Sequence, residues 1–283
     1  MTTRALVVIA VTSVVASVTA QSQQPVFKAR QDLVRLDIMV ADRNKPIVGL
    51  TAADFTVLDD GVPQKIDFVS YDELPLNVVL NLDASGSIAG QRLQDLRAAG
   101  RAVLDQLRKD DRAALVSFSE TVSLHTELTT DWSHLRNVLD ENQSSGQTSL
   151  VDASLAGLVV AASSTGRSLM LTFSDGLDTS SLLPPESVLD SARRTDVVVF
   201  GVTDGKLRAP FIKDLADATG GDVVEIRSTS ELRNTFVRLL SEYRQRYLVA
   251  YTPSGVETGG WHTVTVKVSK KGATVKTRQG YQR

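Results

Sequence analysis

Apolar residues along this chain change their spacing twice, which divides it into three stretches. From Val34 to Val40 apolar and polar positions alternate, with Leu36, Ile38 and Val40 on one side, the period of a half-buried strand. Leu50 to Phe55 reads as a short capped turn, Thr51 capping and Asp54 three places on. Phe55–Leu58 and Gln64–Val69 then read as strands on either side of the Asp59-Asp60-Gly61 hairpin signal.

Between 75 and 243 the pattern switches to largely apolar runs separated by helical periodicity. Leu76–Leu82, Ala113–Phe118, Ser168–Phe173, Asp196–Val202 and Val223–Ile226 read as strands, with Thr121–Glu127 as a hairpin neighbour of the second. Helices are expected over about 88–107, where Leu93, Leu96, Val103, Leu104 and Leu107 share a stripe, and over 131–139, 149–164, 184–194, 211–219 and 230–243. From Tyr247 the chain returns to strands, at Tyr247–Tyr251, at the strictly alternating His262–Val268 and at Ala273–Arg278.

Strands spaced by helices predict an α/β fold, doubly wound, with a mostly parallel Rossmann-like sheet flanked by helices. Three N-terminal strands without a long helix cannot close a core alone. The N- and C-terminal segments are therefore expected to form one small β-sandwich, two separate β appendages being the alternative. The expected divisions are 1–20, 21–74, 75–243 and 244–283.

The first division is a leader. Arg4 precedes an apolar Ala5–Val18 stretch, and small residues up to Ala20 precede a Gln-rich polar run. That is the layout of a cleavable secretory signal peptide; a retained anchor is the alternative, but the apolar part is shorter than the roughly 20 residues a bilayer needs. A secreted or periplasmic protein is expected, with no membrane span after cleavage. The sequence holds no cysteine, which excludes disulfides, zinc–thiolate sites, iron–sulfur clusters and thiol nucleophiles.

Loss of Arg4 leaves 30 basic and 33 acidic residues, a net charge of −3, and no nucleic-acid partner is expected. Residues 244–283 carry eight Lys or Arg against Glu257, or +7, which leaves −10 on 21–243. The basic tail reads as the wet face of alternating strands rather than as a patch for anionic polymers.

The candidate chemistry sits where apolar strands run out. Asp83, Ser85 and Ser87 follow the first buried run and offer hard oxygen donors on one turn, which suit Mg²⁺, Mn²⁺ or Ca²⁺. Asp175, before Gly176, follows another strand, and Thr148 opens a helix. Neighbouring parallel strands open their carboxyl ends into one crevice, so these loops can meet there. Each residue also has a plainer reading: Asp83 and Thr148 as helix caps, and Asp175-Gly176 as a turn. Asp152 is expected to serve its helix N-terminus and Asp178 to be solvated. His125, His134 and His262 fall in no ligand motif.

The order Asp-x-Ser-x-Ser, a later Thr and a later Asp-Gly resembles the von Willebrand factor A (VWA) domain and its metal-ion-dependent adhesion site, or MIDAS. The resemblance covers about 75–243, and the flanks look like VWA-related secreted bacterial proteins. It implies direct metal contacts from Ser85 and Ser87, Asp83 and Asp175 close by or acting through water, and Thr148 joining in the ligand-competent state. It also implies cell adhesion or protein binding at a bacterial envelope, a partner's Asp or Glu completing the coordination of Mg²⁺, with Mn²⁺ or Ca²⁺ as alternatives. Movement of the 230–243 helix on ligand capture is a further implication.

No enzymatic activity is expected: there is no Walker A lysine loop, no Gly-x-Ser-x-Gly elbow and no second acid two residues after Asp83. A Mg²⁺-dependent hydrolase or phosphotransferase, and a structural envelope scaffold, are the alternatives. The sequence leaves the oligomeric state open.

Overall fold

The N-terminal segment forms five short strands, β1 (Val34–Asp42), β2 (Lys45–Pro46), β3 (Phe55–Asp59), β4 (Val62–Gln64) and β5 (Ile66–Tyr71). The central part follows as β6 (Leu76–Asp83), α1 (Gln91–Leu104), β7 (Arg112–Phe118), β8 (Val122–Thr129), α2 (Trp132–Glu141), α3 (Leu150–Ala162) and β9 (Arg167–Phe173). It continues through α4 (Pro185–Arg193), β10 (Val198–Thr203), α5 (Pro210–Thr219), β11 (Asp222–Glu225) and α6 (Leu232–Arg244). The chain ends in β12 (Tyr247–Tyr251), β13 (Trp261–Val268), β14 (Thr274–Lys276) and β15 (Gly280–Gln282). This computed structural model describes residues 33–43, 45–175, 177–204 and 210–283. The expected leader at 1–20 lies outside the described residues. Among them no helix is long and apolar enough to cross a membrane.

The central sheet runs β11-β10-β9-β6-β7-β8. Four of its ladders are parallel and the β7–β8 ladder is antiparallel, so the sheet is mixed. The reason is local: three residues separate β7 from β8, and a parallel crossover needs a dozen or more. Along β6 the side chains alternate between two cores. Val78, Leu80 and Leu82 pack with the apolar faces of α1, α2 and α6, and Val79 packs with those of α3, α4 and α5. Covered on both faces, β6 is buried at every position.

The first helix starts later than its periodicity predicts. Gly90 takes φ 66°, in the left-handed region that favours glycine, and separates α1 from a 3-10 turn at Gly86–Ile88. That break leaves Ser85 and Ser87 on a turn at the sheet edge rather than inside a helix.

The N- and C-terminal segments pair with each other in two smaller sheets. One runs β14-β1-β12-β5, with β2 on β1, and the other β15-β13-β3-β4. Leu36, Ile38, Phe55, Val57, Val249, Tyr251 and Val264 belong to one apolar cluster drawn from both. Arg167 on β9 and Asp37 on β1 tie this part to the central sheet through a buried ion pair at 2.6 Å.

Candidate metal centre

Strands β10, β9 and β6 are neighbours, and each ends in an acid: Asp204 after β10, Asp175 two residues after β9, and Asp83 as the last residue of β6. After β6 the sheet grows to one side through β7, and to the other through β9. The crevice beyond β6 and β9 is thus a topological switch point, where open α/β sheets place their ligands.

Asp83 is fully buried. Its Oδ1 accepts from the Ser85 amide at 2.8 Å and its Oδ2 from the Ser174 hydroxyl at 2.6 Å. Burial pushes the Asp83 carboxyl above its usual range; the two serine contacts oppose that shift. A second cation-friendly group follows at once, since Ser85 Oγ lies 3.1 Å from Ser87 Oγ. The Ser87 hydroxyl, on the exposed side of the turn, donates to Asp175 Oδ1 at 2.8 Å.

Thr148 stands on the adjoining loop and is 7% exposed. The Ser145 amide donates to the Ala84 carbonyl at 2.9 Å, and the Gly86 amide to the Gly146 carbonyl at 3.0 Å, so this loop is docked on the Asp83 turn. Direct polar contacts thus run from Asp83 through Ser85 and Ser87 to Asp175, while Thr148 reaches the cluster through its loop.

A third loop braces the second. Thr179 and Ser180 donate their amides to the Thr148 carbonyl at 2.8 and 3.1 Å. Asp178 accepts from the Val151 amide at 3.2 Å and from Ser181, so it caps α3 instead of being solvated as expected. Asp152 accepts from the amides of Leu182 and Leu183, both at 2.9 Å, rather than serving only its own helix.

The donor set fits a hard divalent ion. Octahedral Mg²⁺ at about 2.1 Å from its ligands sets neighbouring oxygens about 3 Å apart. The Ser85–Ser87 and Ser87–Asp175 separations of 3.1 and 2.8 Å match that spacing. All donors are oxygen, two are carboxylates, and none is a soft sulfur or an imidazole.

Sequence reasoning missed three participants. Ser174 fixes Asp83. Arg92, on the first turn of α1, contacts both Asp175 and Asp204. A signal for Asp204 was present, since Asp204-Gly205 repeats the strand-end pattern of Asp175-Gly176.

A second cluster lies in the smaller sheets, where Asp59, Asp60 and His262 each place one donor atom within 4.8 Å of the others. Its hydrogen bonds give it a different character. Asp59 Oδ2 accepts from the hydroxyls of Tyr251 and Tyr281 at 2.9 and 2.8 Å, and Oδ1 lies 3.0 Å from His262 Nδ1. Both tyrosine hydroxyls are pushed to higher pKa, first by burial and further by Asp59. The Asp59 carboxylate is therefore already satisfied, which buried polar groups require. Of the other histidines, His125 sits on β8 beside Ser117, and His134 is exposed on α2.

The sequence model of the von Willebrand factor type A domain matches residues 78–177. A solved von Willebrand factor type A structure from Catenulispora acidiphila aligns at TM-score 0.53 and 13% identity, over 90% of this chain and 75% of that one. Proximal thread matrix protein 1 from the mussel byssus, with a zinc-occupied MIDAS motif, aligns at TM-score 0.54 and 17% identity, over 65% of this chain and 49% of its own. At such identities these likenesses concern the fold. An uncharacterized protein of Synechocystis, sll0103, is 39% identical over 54 residues, which are 19% of this chain and 13% of that protein.

Proposed function

From the von Willebrand factor type A domain that this chain carries, we propose a secreted protein-binding module that captures an acidic side chain of a partner through a divalent cation. Asp83, Ser85, Ser87, Thr148 and Asp175 are the residues we assign to that cation. The observation that carries the reading is the series of oxygens from Ser85 through Ser87 to Asp175, at spacings an octahedral ion requires, beside the buried Asp83 carboxylate that accepts from the Ser85 amide.

Two carboxylates neutralise a divalent ion and the hydroxyls add no further charge. The cation then stays electrophilic enough to accept a carboxylate from outside. Ser87 is exposed, so its side of the turn faces an incoming ligand. Asp83 is the buried anchor, held by Ser85 and Ser174 so that it need not reorganise. Mg²⁺ is the expected ion, with Mn²⁺ or Ca²⁺ as alternatives. The zinc-occupied motif of the byssus protein supports a metal at such a site in general.

In this reading the leader at 1–20 delivers the protein to a bacterial envelope or beyond it. The binding domain spans 75–243, and segments 21–74 and 244–283 form a β-sandwich beside it. The apolar cluster common to the two smaller sheets supports the sandwich.

The test is capture of envelope proteins by the wild-type chain and by Asp83→Ala, each with Mg²⁺ and with EDTA, followed by identification of what is retained. Binding expects a partner that wild type retains only with Mg²⁺ and that Asp83→Ala fails to retain. Retention indifferent to chelation overturns the metal-mediated mechanism. Phosphate release or peptide cleavage that Asp83→Ala abolishes would instead establish a metal-dependent enzyme.

A further inference from the structure

Arg92 is an odd residue for its position. It is the second residue of α1, where the helix dipole disfavours a cation, and the first turn holds no acid to compensate. Its compensation comes from across the crevice. Arg92 Nη2 lies 2.5 Å from Asp175 Oδ2 and 2.6 Å from Asp204 Oδ2, and Nη1 donates to the Ser87 carbonyl at 3.2 Å. The two acid side chains are only 6% and 5% exposed, whereas that of Arg92 is 26% exposed. Asp175 is therefore shared: Oδ1 faces the Ser87 hydroxyl and Oδ2 faces Arg92.

We propose that Arg92 is a resident cation of the Asp83 site, set against Asp204, and that this pair fixes how tightly the site holds a divalent ion although neither residue is a ligand. The proposal rests on the metal-binding reading above. Asp83, Asp175 and Asp204 carry three negative charges and Arg92 one positive, a net of −2, equal and opposite to a divalent cation. Arg92 spends part of the Asp175 charge, which weakens the ion's hold on the site and preserves its attraction for a partner's carboxylate. Asp204 spends part of the Arg92 charge, which limits that weakening. Arg92 also positions Asp175, but positioning and charge predict opposite results when Arg92 is removed.

Calorimetric titration with Mg²⁺ alone, on the full chain, separates them. Coulomb's law makes one unit charge a few ångströms beyond a divalent ion's ligands worth about tenfold in affinity where water still reaches. Arg92→Gln should bind Mg²⁺ about tenfold more tightly than wild type, and Asp204→Asn about tenfold more weakly. The double variant should return to within about threefold of wild type, because its net charge is again −2. Arg92→Lys, which keeps the charge and loses the planar fork, should also stay within about threefold.

Weakened binding in both Arg92→Gln and Asp204→Asn would overturn the proposal, since a merely structural bridge predicts loss from either side. Should Arg92→Gln fail to fold by circular dichroism, Arg92→Lys decides, and a loss beyond tenfold there is equally fatal. Asp83→Ala is the control that tells the two readings apart. If wild type shows no Mg²⁺ uptake that Asp83→Ala abolishes, the metal site itself fails; if it does and the charge variants misbehave, only the role of Arg92 fails.

Discussion

The Ser87 hydroxyl donates to Asp175 at 2.8 Å across 88 residues of sequence, closing the turn after β6 onto the turn after β9. A divalent ion bound at that closure stabilises the folded state alone, by about 2.7 kcal/mol when its concentration is a hundredfold above Kd. Thermal melting should therefore rise by several degrees between EDTA and saturating Mg²⁺ in wild type. Ser87→Ala and Asp175→Ala should each lose most of that rise. A shift retained in both would remove Ser87 and Asp175 from the ligand set.

The contact between Asp37 and Arg167 does different work. Arg167 donates to Asp37 Oδ1 through Nε at 2.8 Å and Nη2 at 2.6 Å, and Tyr243 donates its hydroxyl to Asp37 Oδ2 at 3.2 Å, all in the interior. Asp37→Ala would strand a buried guanidinium, at a cost of about 3–5 kcal/mol. Replacing both partners, as Asp37→Leu with Arg167→Met, should cost much less, because no charge is left unpaired. Urea unfolding midpoints of the single and double variants check this, and equal losses would show that the pair contributes packing rather than charge compensation.

Much of the architecture was legible in the sequence for one physical reason. A strand covered on both faces is apolar at most positions, so the run Val78-Val79-Leu80, resumed at Leu82 after Asn81, announced both its burial and, by ending at Asp83, a candidate functional edge. The antiparallel β8 was legible as a hairpin because its connection is so short. What sequence could not supply was contact across the crevice. Nothing in the spacing of Arg92 on its helix points to Asp175 or Asp204, because the three meet only after β9 settles beside β6 and β10 beside β9. Asp178 was misread for the same reason, since the Val151 amide it caps lies on α3, 27 residues away. His262 carried no motif, and its role comes from its pairing with the β3 turn.

Acid should weaken the fold through His125. This imidazole, 2.7 Å from Ser117 Oγ on the neighbouring strand, is pushed below its usual pKa by burial. The unfolded chain takes up the proton near pH 6.5 and the folded chain only at lower pH. Stability contributed by the neutral ring is therefore complete above pH 6.5 and is lost as pH falls toward the depressed folded value. Between those limits His125→Gln should show a shallower fall of unfolding free energy with pH than wild type. Matching slopes would mean that the ring titrates as freely when folded as when unfolded.

The acidic clusters around Asp83 and Asp59 can be separated by one pair of substitutions. At Asp59 the carboxylate already accepts from Tyr251, Tyr281 and His262, so a cation there would have to displace donors that the fold uses. Asp59→Asn turns an amide's N–H groups toward hydroxyls that had donated, and should cost about 1–3 kcal/mol of stability. Because those contacts lie within the smaller sheets, its Mg²⁺ affinity should equal that of wild type. Asp83→Ala should show the reverse, abolished uptake with the Asp59 hub intact. Calorimetry and urea unfolding on the same two variants measure both quantities. Uptake that survives Asp83→Ala and vanishes in Asp59→Asn would move the ion to the smaller sheets, leaving the oxygen spacing at the β6 edge as a hydrogen-bonded turn with no cation to hold.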